Sequence, residues 1–441
     1  MSSPGNDRES QPTLKRALGR WDLTAIGINQ VIGVSIFLMP SQLVALIGNW
    51  SPIGFVLAGL ASLAVALCFA EVGSRFEGTG GPYLYTRAAF GNFVAFEVGW
   101  MQWFTRATSQ ASVTNGIALA LAFYWPMMKA GASRALLITT LTLALAFINT
   151  RGITQSARLV NSLTIAKLVP LVLFIAVGPF FADLTKLVPL PEISLGSAAA
   201  AGLLLIFTFG GYDVIGVPAG EAKDPRRHLP FAFVTTIITV TVVMTAAQVI
   251  AMTTYDDVAG STTPLADAAL AFMGPAGAAA IGLGSVIAMT GNSAGQVLTG
   301  SRMLFALAEN RALPRFFGYI HPAHRTPSKA IWFTSLVALL LALSGSFVYL
   351  ATVSAVSRLV TYIGASAATL ALRRERFEGR VEPATFTIPF GPIVPIVAIL
   401  VSVALPFGAT RAQLLGGAAA LVAGAVLYWL NVAARRGGAL R

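Results

Sequence analysis

Gly27-Ile28-Asn29-Gln30-Val31-Ile32-Gly33-Val34-Ser35-Ile36-Phe37 breaks the first apolar span of the chain near its midpoint, and Phe207-Thr208-Phe209-Gly210-Gly211-Tyr212-Asp213 breaks the sixth. Glycine in a membrane helix commonly serves close packing, so either stretch alone carries little weight. Their positions, however, correspond in two halves of five spans each. Paired interruptions of this kind point to a secondary transporter built from inverted repeats, with its site near mid-membrane. Unwound backbone survives at that depth only where protein buries it or where it lines a cavity. A half-helix that restarts there offers free N–H groups and the positive end of its dipole to an anion such as a carboxylate.

The spans themselves follow from hydropathy. Of 441 residues, 56% are hydrophobic and 11% charged, and the mean hydropathy is +0.74. A water-soluble domain carries about 25% charged residues; this chain lacks the polar surface to coat one. Apolar segments recur at 23–47, 52–74, 93–125, 134–150, 155–182, 197–220, 230–253, 275–307, 329–343, 347–372, 392–408 and 412–433. Most approach the roughly 20 residues that cross a bilayer as a helix. The uncharged stretch 330–357 is too long for one helix and divides at Ser344-Gly345-Ser346. The expectation is an all-α integral membrane protein of about twelve transmembrane helices. The first twenty residues are polar, without an apolar core or small-residue cleavage site, and read as a tail rather than a removable signal.

A net charge of +12 raises nucleic acid as a partner until the basic residues are located. With the N-terminus inside, 23 of the 30 lysines and arginines fall on its side of the membrane, from Arg8, Lys15, Arg16 and Arg20 through to Arg435, Arg436 and Arg441. Lys129, Arg134, Lys186 and Arg411 fall on the other side, and Arg106, Lys167 and Arg358 lie inside spans. That bias predicts a multi-pass plasma-membrane protein with both termini cytoplasmic. It also removes nucleic acid as a partner, since the basic excess is a topology signal and a contact with anionic lipid. Cys68 is the single cysteine, and His228, His321 and His324 lie in polar loop sequence, so no metal centre and no cofactor is expected. No span holds a histidine or a cysteine pair from which a membrane-embedded enzyme could be built. A transport-inactive sensor or channel stays open as the alternative to a transporter, although the short tails hold no soluble signalling domain.

Ordered motifs over 21–375 carry a family resemblance. The first break resembles the G-[SA]-G-I-F segment of amino acid–polyamine–organocation superfamily permeases. Gly80-Gly81-Pro82-Tyr83-Leu84-Tyr85 resembles their loop between helices two and three. Glu221-Ala222-Lys223-Asp224-Pro225-Arg226-Arg227-His228-Leu229-Pro230 is similar to their signature after helix six, and Ser301-Arg302-Met303-Leu304-Phe305-Ala306 to the end of helix eight. The resemblance implies a leucine-transporter-like fold. Residues 1–21 would form a cytoplasmic tail, 22–182 and 197–372 the two inverted five-helix repeats, 392–433 two added helices, and 434–441 a second cytoplasmic tail. It also implies alternating-access transport of a small molecule, an amino acid or related amine, by proton coupling or exchange. The family's G-S-G is here Gly33-Val34-Ser35, which loses one hydroxyl and sets a side chain where glycine is usual. The amides of Val34 and Ser35 remain for a carboxylate, while Val34 narrows the site or alters its selectivity.

The candidate substrate site therefore comprises Ile32, Gly33, Val34 and Ser35 at the first break, and Phe207, Thr208, Phe209, Gly210 and Asp213 at the second. Arg106 and Gln110 join from span three, one helical turn apart on one face. Arg106 either reads an anionic side chain or pairs with Asp213 or Glu97. Asp213 either bonds unwound backbone or touches substrate. Phe207, Phe209 and Tyr212 are read as the gate over the substrate, Gly33 and Gly210 as positions needing backbone freedom, and Arg358 as a tie between helices. Glu71, near a helix end, is either solvated or a proton carrier.

Lys167 sits about twelve residues into span five, too deep for its ammonium to reach either surface by snorkelling. Its T-x-x-K-L context resembles sodium-independent members, in which a lysine fills the volume that sodium occupies in sodium-coupled relatives. The resemblance implies bonds from the ammonium to carbonyls freed near Gly27 and Gln30, and to Asn292 or Ser293 on span eight, with protonation coupled to the conformational change.

Overall fold

The computed structural model describes residues 16–122, 125–345 and 347–436. Arg8 and Lys15 of the tail, the end of the span read as 93–125, Ser346 of the expected turn and Arg441 lie outside the described residues or at their edge. Every span read from hydropathy contains helix. α1 (Arg20–Val31) and α2 (Ser35–Ile47) share the first, and α3 (Ser51–Gly73) fills the second. After the short α4 (Pro82–Phe90) come α5 (Asn92–Ala122), α6 (Gly131–Thr150) and α7 (Ile153–Val177). α8 (Leu195–Phe209) begins the sixth span. α9 (Pro225–Thr254), α10 (Pro264–Glu309), α11 (Ser328–Ser344), α12 (Phe347–Leu372), α13 (Ile393–Ala404) and α14 (Arg411–Arg436) complete the chain.

The departures from expectation are local and have backbone causes. The segment read as a loop near Gly80 folds into α4, because Pro82 opens a helical turn and Gly91, at φ 87°, ends it. α10 starts at Pro264, not 275, and bends at Gly274 (φ 68°), where Pro275 cannot donate to the ladder. The sixth span does not run as helix to 220. Beyond α8 it passes through Gly210 and Gly211 into single 3₁₀ turns at Tyr212–Val214 and Ala219–Glu221. α9 then starts cleanly, with Asp224 accepting the Arg227 amide at 3.3 Å and Pro225 at the first position.

Burial runs opposite to that of a water-soluble protein. Along α7, Ile165, Val169 and Val172 are 66%, 54% and 55% exposed, while Lys167, Leu171 and Phe174 on the other face are fully buried. An apolar exterior around a polar stripe suits lipid outside and function inside. Eight segments of the described residues are long and apolar enough to cross a membrane, and two shorter apolar helices accompany them. α5 is not one of the eight, because its middle carries Thr105, Arg106, Thr108, Ser109, Gln110 and Ser112, all buried. It is the centre of the bundle and packs against α10, α12, α4 and α11. α1 lies beside α9, α7 and α10, and the break that follows it faces α5, α10 and the end of α8 around one small cavity.

Candidate functional site

The first break is three residues long. α1 stops at Val31, and Ile32 leaves the helix at φ −75°, ψ 79°. α2 makes its first backbone bonds from the Phe37 and Leu38 amides to Val34 O. The amides of Val34, Ser35 and Ile36 precede those bonds and are the free donors of a helix N-terminus. The carbonyls at the end of α1 are met by side chains. Lys167 Nζ donates to Asn29 O at 3.0 Å, to Asn29 Oδ1 at 2.8 Å and to Ile32 O. Asn292 Nδ2 donates to Gln30 O at 2.7 Å and Asn29 O at 3.2 Å. The lysine's partners are thus Asn29 and Ile32 instead of Gly27 and Gln30. The cause is that α1 stays helical to Val31, so the free carbonyls fall in its last turn. Asn292 shares Asn29 O with the lysine and takes Gln30 O itself, and Ser293 Oγ faces Thr114 Oγ1 at 3.5 Å. A Cβ on Gly27 would meet Thr236 Oγ1 at 2.5 Å, so that glycine serves α1–α9 packing.

The second break is held to the first. Ser35 Oγ donates to Thr208 O at 3.2 Å. Gly211 sits at φ 134°, and a Cβ there would come within 2.6 Å of Gln30 O. Asp213 makes the backbone bond weighed for it, and its other oxygen pairs with Arg106. Its Oδ1 accepts the Gly211 amide at 3.2 Å, and its Oδ2 accepts Arg106 Nη2 at 3.1 Å. Arg106 therefore pairs with Asp213, while Glu97 lies on the α14 side, 2.9 Å from where a Gly424 Cβ would stand. Gly210 has an ordinary backbone (φ −68°, ψ 140°) that any residue adopts, which corrects the expectation of backbone freedom. Its glycine is a matter of space: a Cβ would stand 1.1 Å from Arg358 Nη1. Gly33 likewise yields room to Asn292, whose Nδ2 would lie 2.5 Å from a Cβ.

Between the breaks lies a cavity of about 20 Å³, with Gln30, Gly33, Val34, Ser35, Ser109, Val113, Phe207, Gly210, Asn292, Gln296 and Arg358 among its walls. Ile32, Thr208, Phe209, Asp213, Arg106 and Gln110 stand behind that wall. Thr208 Oγ1 bonds Leu204 O at 2.8 Å, Phe209 packs on Phe55, and Tyr212 stacks on Tyr362, so of the three aromatics only Phe207 reaches the cavity. On α5 the facing stripe is Ser109 and Val113, rotated about 100° per residue from the one expected. Sequence does not single out Ser109, Val113 and Gln296, and Arg358, read as a tie between helices, lines the cavity as well. Gln296 had a signal, being one turn from Asn292, whose Oδ1 its Nε2 contacts at 3.3 Å. Gln30 Oε1, Gln296 Oε1, and Arg358 Nε and Nη1 are buried with no protein hydrogen-bond partner.

A second cavity, of about 450 Å³, runs from Lys129 and residues 261–263 to Phe207, which lines both spaces. On the tail side, buried ion pairs tie the helix ends together. Arg302, counted by sequence with the inner loops, is fully buried and holds Glu221 through Nε at 2.7 Å and Nη2 at 3.1 Å. Glu221 O also accepts the Ala17 and Leu18 amides. Glu71 is not solvated: it is 1% exposed, accepts Arg373 at 2.6 and 2.5 Å, and accepts the Ile388 amide at 2.8 Å. That carboxylate raises the Arg373 guanidinium above its ordinary range. Among the described residues no group of three metal-ligating side chains occurs.

The sequence matches the amino acid permease family over residues 18–429. It is 27% identical to a branched-chain amino acid permease of Bacillus subtilis, over 95% of this chain and 94% of that one. A methylthioribose transporter of the same organism is 27% identical over 88% and 87%, and a serine/threonine exchanger 28% identical over 88% and 89%. A match of that extent decides the family: the chain belongs to the amino acid permeases of the amino acid–polyamine–organocation superfamily, as a multi-pass membrane transporter and not an enzyme.

Proposed function

We propose that the protein is a secondary active permease that carries an amino acid or related amine by alternating access, independently of sodium, with proton coupling or exchange. The observation that carries this reading is the meeting of two interrupted spans at one buried cavity with complementary chemistry. The Val34, Ser35 and Ile36 amides suit a carboxylate. The unpartnered Oε1 atoms of Gln30 and Gln296 suit an ammonium. Ile32 and Gly33 set the start of α2, while Arg106, Gln110, Thr208, Phe209 and Asp213 brace the wall from behind. The relatives' names, a branched-chain amino acid permease and a serine/threonine exchanger, support an amino-acid cargo.

Sodium independence rests on Lys167. Its three donors meet three acceptors at the negative end of α1, so the lysine supplies the cation there. Burial disfavours the ammonium while the carbonyl dipoles favour it. Rocking of the repeats, 22–182 against 197–372, changes that balance and lets a proton leave or return.

With 23 of 30 basic residues on the tail side, that side is cytoplasmic and the 450 Å³ cavity faces outward. Phe207 then separates an outer vestibule from the substrate cavity, and Arg302–Glu221 closes the inner path together with Glu71–Arg373. Uptake of radiolabelled amino acids into proteoliposomes, with all twenty as competitors, tests the reading. Saturable, competed uptake supports it, and its absence for every amino acid overturns it.

A further inference from the structure

We propose that Arg358 is the specificity-determining residue of this cavity and selects an amino acid whose side chain carries a negative charge. The proposal rests on the reading of the cavity as the substrate site. Arg106, Arg358 and Asp213 meet at the second break, each 2% exposed or less. Asp213 is already engaged by Arg106, by the Gly211 amide and by Gln102 Nε2 at 3.5 Å. Arg358 Nε stays 3.7 Å from Asp213 Oδ1, beyond hydrogen-bond reach. Its one hydrogen bond, from Nη2 to Ser109 Oγ, is 3.5 Å long, and Nε and Nη1 have no partner.

Two arginines against one carboxylate leave a positive charge in excess. Among the described residues no acidic side chain lines the cavity, and Lys167 behind the first break adds to the same sign. An under-compensated guanidinium at this depth is expensive to keep. A ligand carboxylate removes the deficit, because the guanidinium fork matches it with two parallel bonds. Arg358 is aimed for this. Its Nη1 passes through the notch left by Gly210 into the space that the α2 amides also face. The main carboxylate of the substrate takes the amides, its ammonium the glutamine oxygens, and its side-chain carboxylate Arg358. A neutral side chain would leave the buried fork unpaired, which is how a polar site rejects an analogue lacking the matching group. The cavity of about 20 Å³ has the room of little more than one water. Arg358 and Phe207 therefore withdraw as substrate enters, and the flexible arginine stem permits it.

The test is binding and uptake of radiolabelled L-glutamate and L-aspartate beside the isosteric L-glutamine and L-asparagine. The wild type should favour the acids by about 10- to 100-fold, the discrimination of one charged hydrogen bond. Arg358→Gln should collapse that ratio by about 10- to 100-fold, and Arg358→Lys, which keeps charge but not the fork, should keep part of it. Thermal stability of each variant shows that it folds, and the wild-type ratio decides the matter if neither does. Equal handling of acids and amides by the wild type overturns the proposal while leaving the permease reading intact. An unchanged ratio in folded Arg358→Gln overturns it too. Binding of none of the four overturns it as well, while the permease reading falls only if the other amino acids also go untransported.

Discussion

Lys167→Met keeps the side-chain volume and removes the ammonium, and the structure allows its consequences to be separated. Asn29 O retains a donor in Asn292 Nδ2 at 3.2 Å, but Ile32 O and Asn29 Oδ1 lose theirs. A buried acceptor left without a donor costs about 1–3 kcal/mol, so the loss is about 2–6 kcal/mol. Opposing it, the variant no longer holds a desolvated ammonium, a relief of several kcal/mol. The two nearly cancel, and global stability should fall by about 2 kcal/mol or less. Function should not be spared, since the charge that ties α7 to the end of α1 is gone. We expect Lys167→Met to insert and melt almost as the wild type does, yet to lose pH-dependent uptake in proteoliposomes. Lys167→Ala should lose the same function and be less stable than the methionine variant, because it adds a cavity. Wild-type pH dependence in a well-folded Lys167→Met protein would refute the reasoning.

Gly210→Ala, at a backbone alanine accepts freely, should expel the Arg358 guanidinium and abolish substrate binding without impairing insertion; Gly33→Leu should do the same through Asn292. Substrate binding at wild-type affinity in both would show these glycines to be mere packing positions. Asp213→Asn strands two buried guanidinium groups, at about 3–5 kcal/mol or more, whereas Arg106→Gln leaves Asp213 facing Arg358 and should cost less, so the double variant should regain part of the stability lost by Asp213→Asn. Additive melting shifts would contradict the 3.1 Å pair. Arg302→Gln should loosen the tail-side closure, seen as deuterium exchange about tenfold or more faster at the Ala17, Leu18 and Lys223 amides. Unchanged exchange there would mean that Arg302–Glu221 does not hold the closure.

Hydropathy and single out-of-place residues made most of the fold legible. Most of the spans are runs of apolar residues with a lipid-facing side, and each break announces itself by glycine beside polar residues. Lys167 and Asp213 stand out because a charge within a span is conspicuous wherever its side chain points. What sequence leaves open is rotation. α5 is polar nearly all round its middle, so nothing in its own residues favours Ser109 and Val113 over Arg106 and Gln110 as the cavity stripe; packing against α10 and α12 makes that choice. The role of Arg358 depends on a notch at Gly210, far away in the chain. Arg302 and Glu221 sit near helix ends, where solvent is the default partner, and only the tertiary fold brings them together and buries them. The turns after Gly211 replace an expected helix because Gly210 and Gly211 stop α8, and the backbone of the next residues then bonds locally and to the loop before α4.

Transport of an amino acid with Lys167 in place of a metal cation is tested most directly in wild-type proteoliposomes from which sodium has been removed. Initial rates of radiolabelled amino acid uptake are measured with choline as the only added monovalent cation, then with sodium restored. Saturable uptake at the same rate in both media, varying with pH, is the expected result. Uptake that appears only when sodium is restored would contradict it.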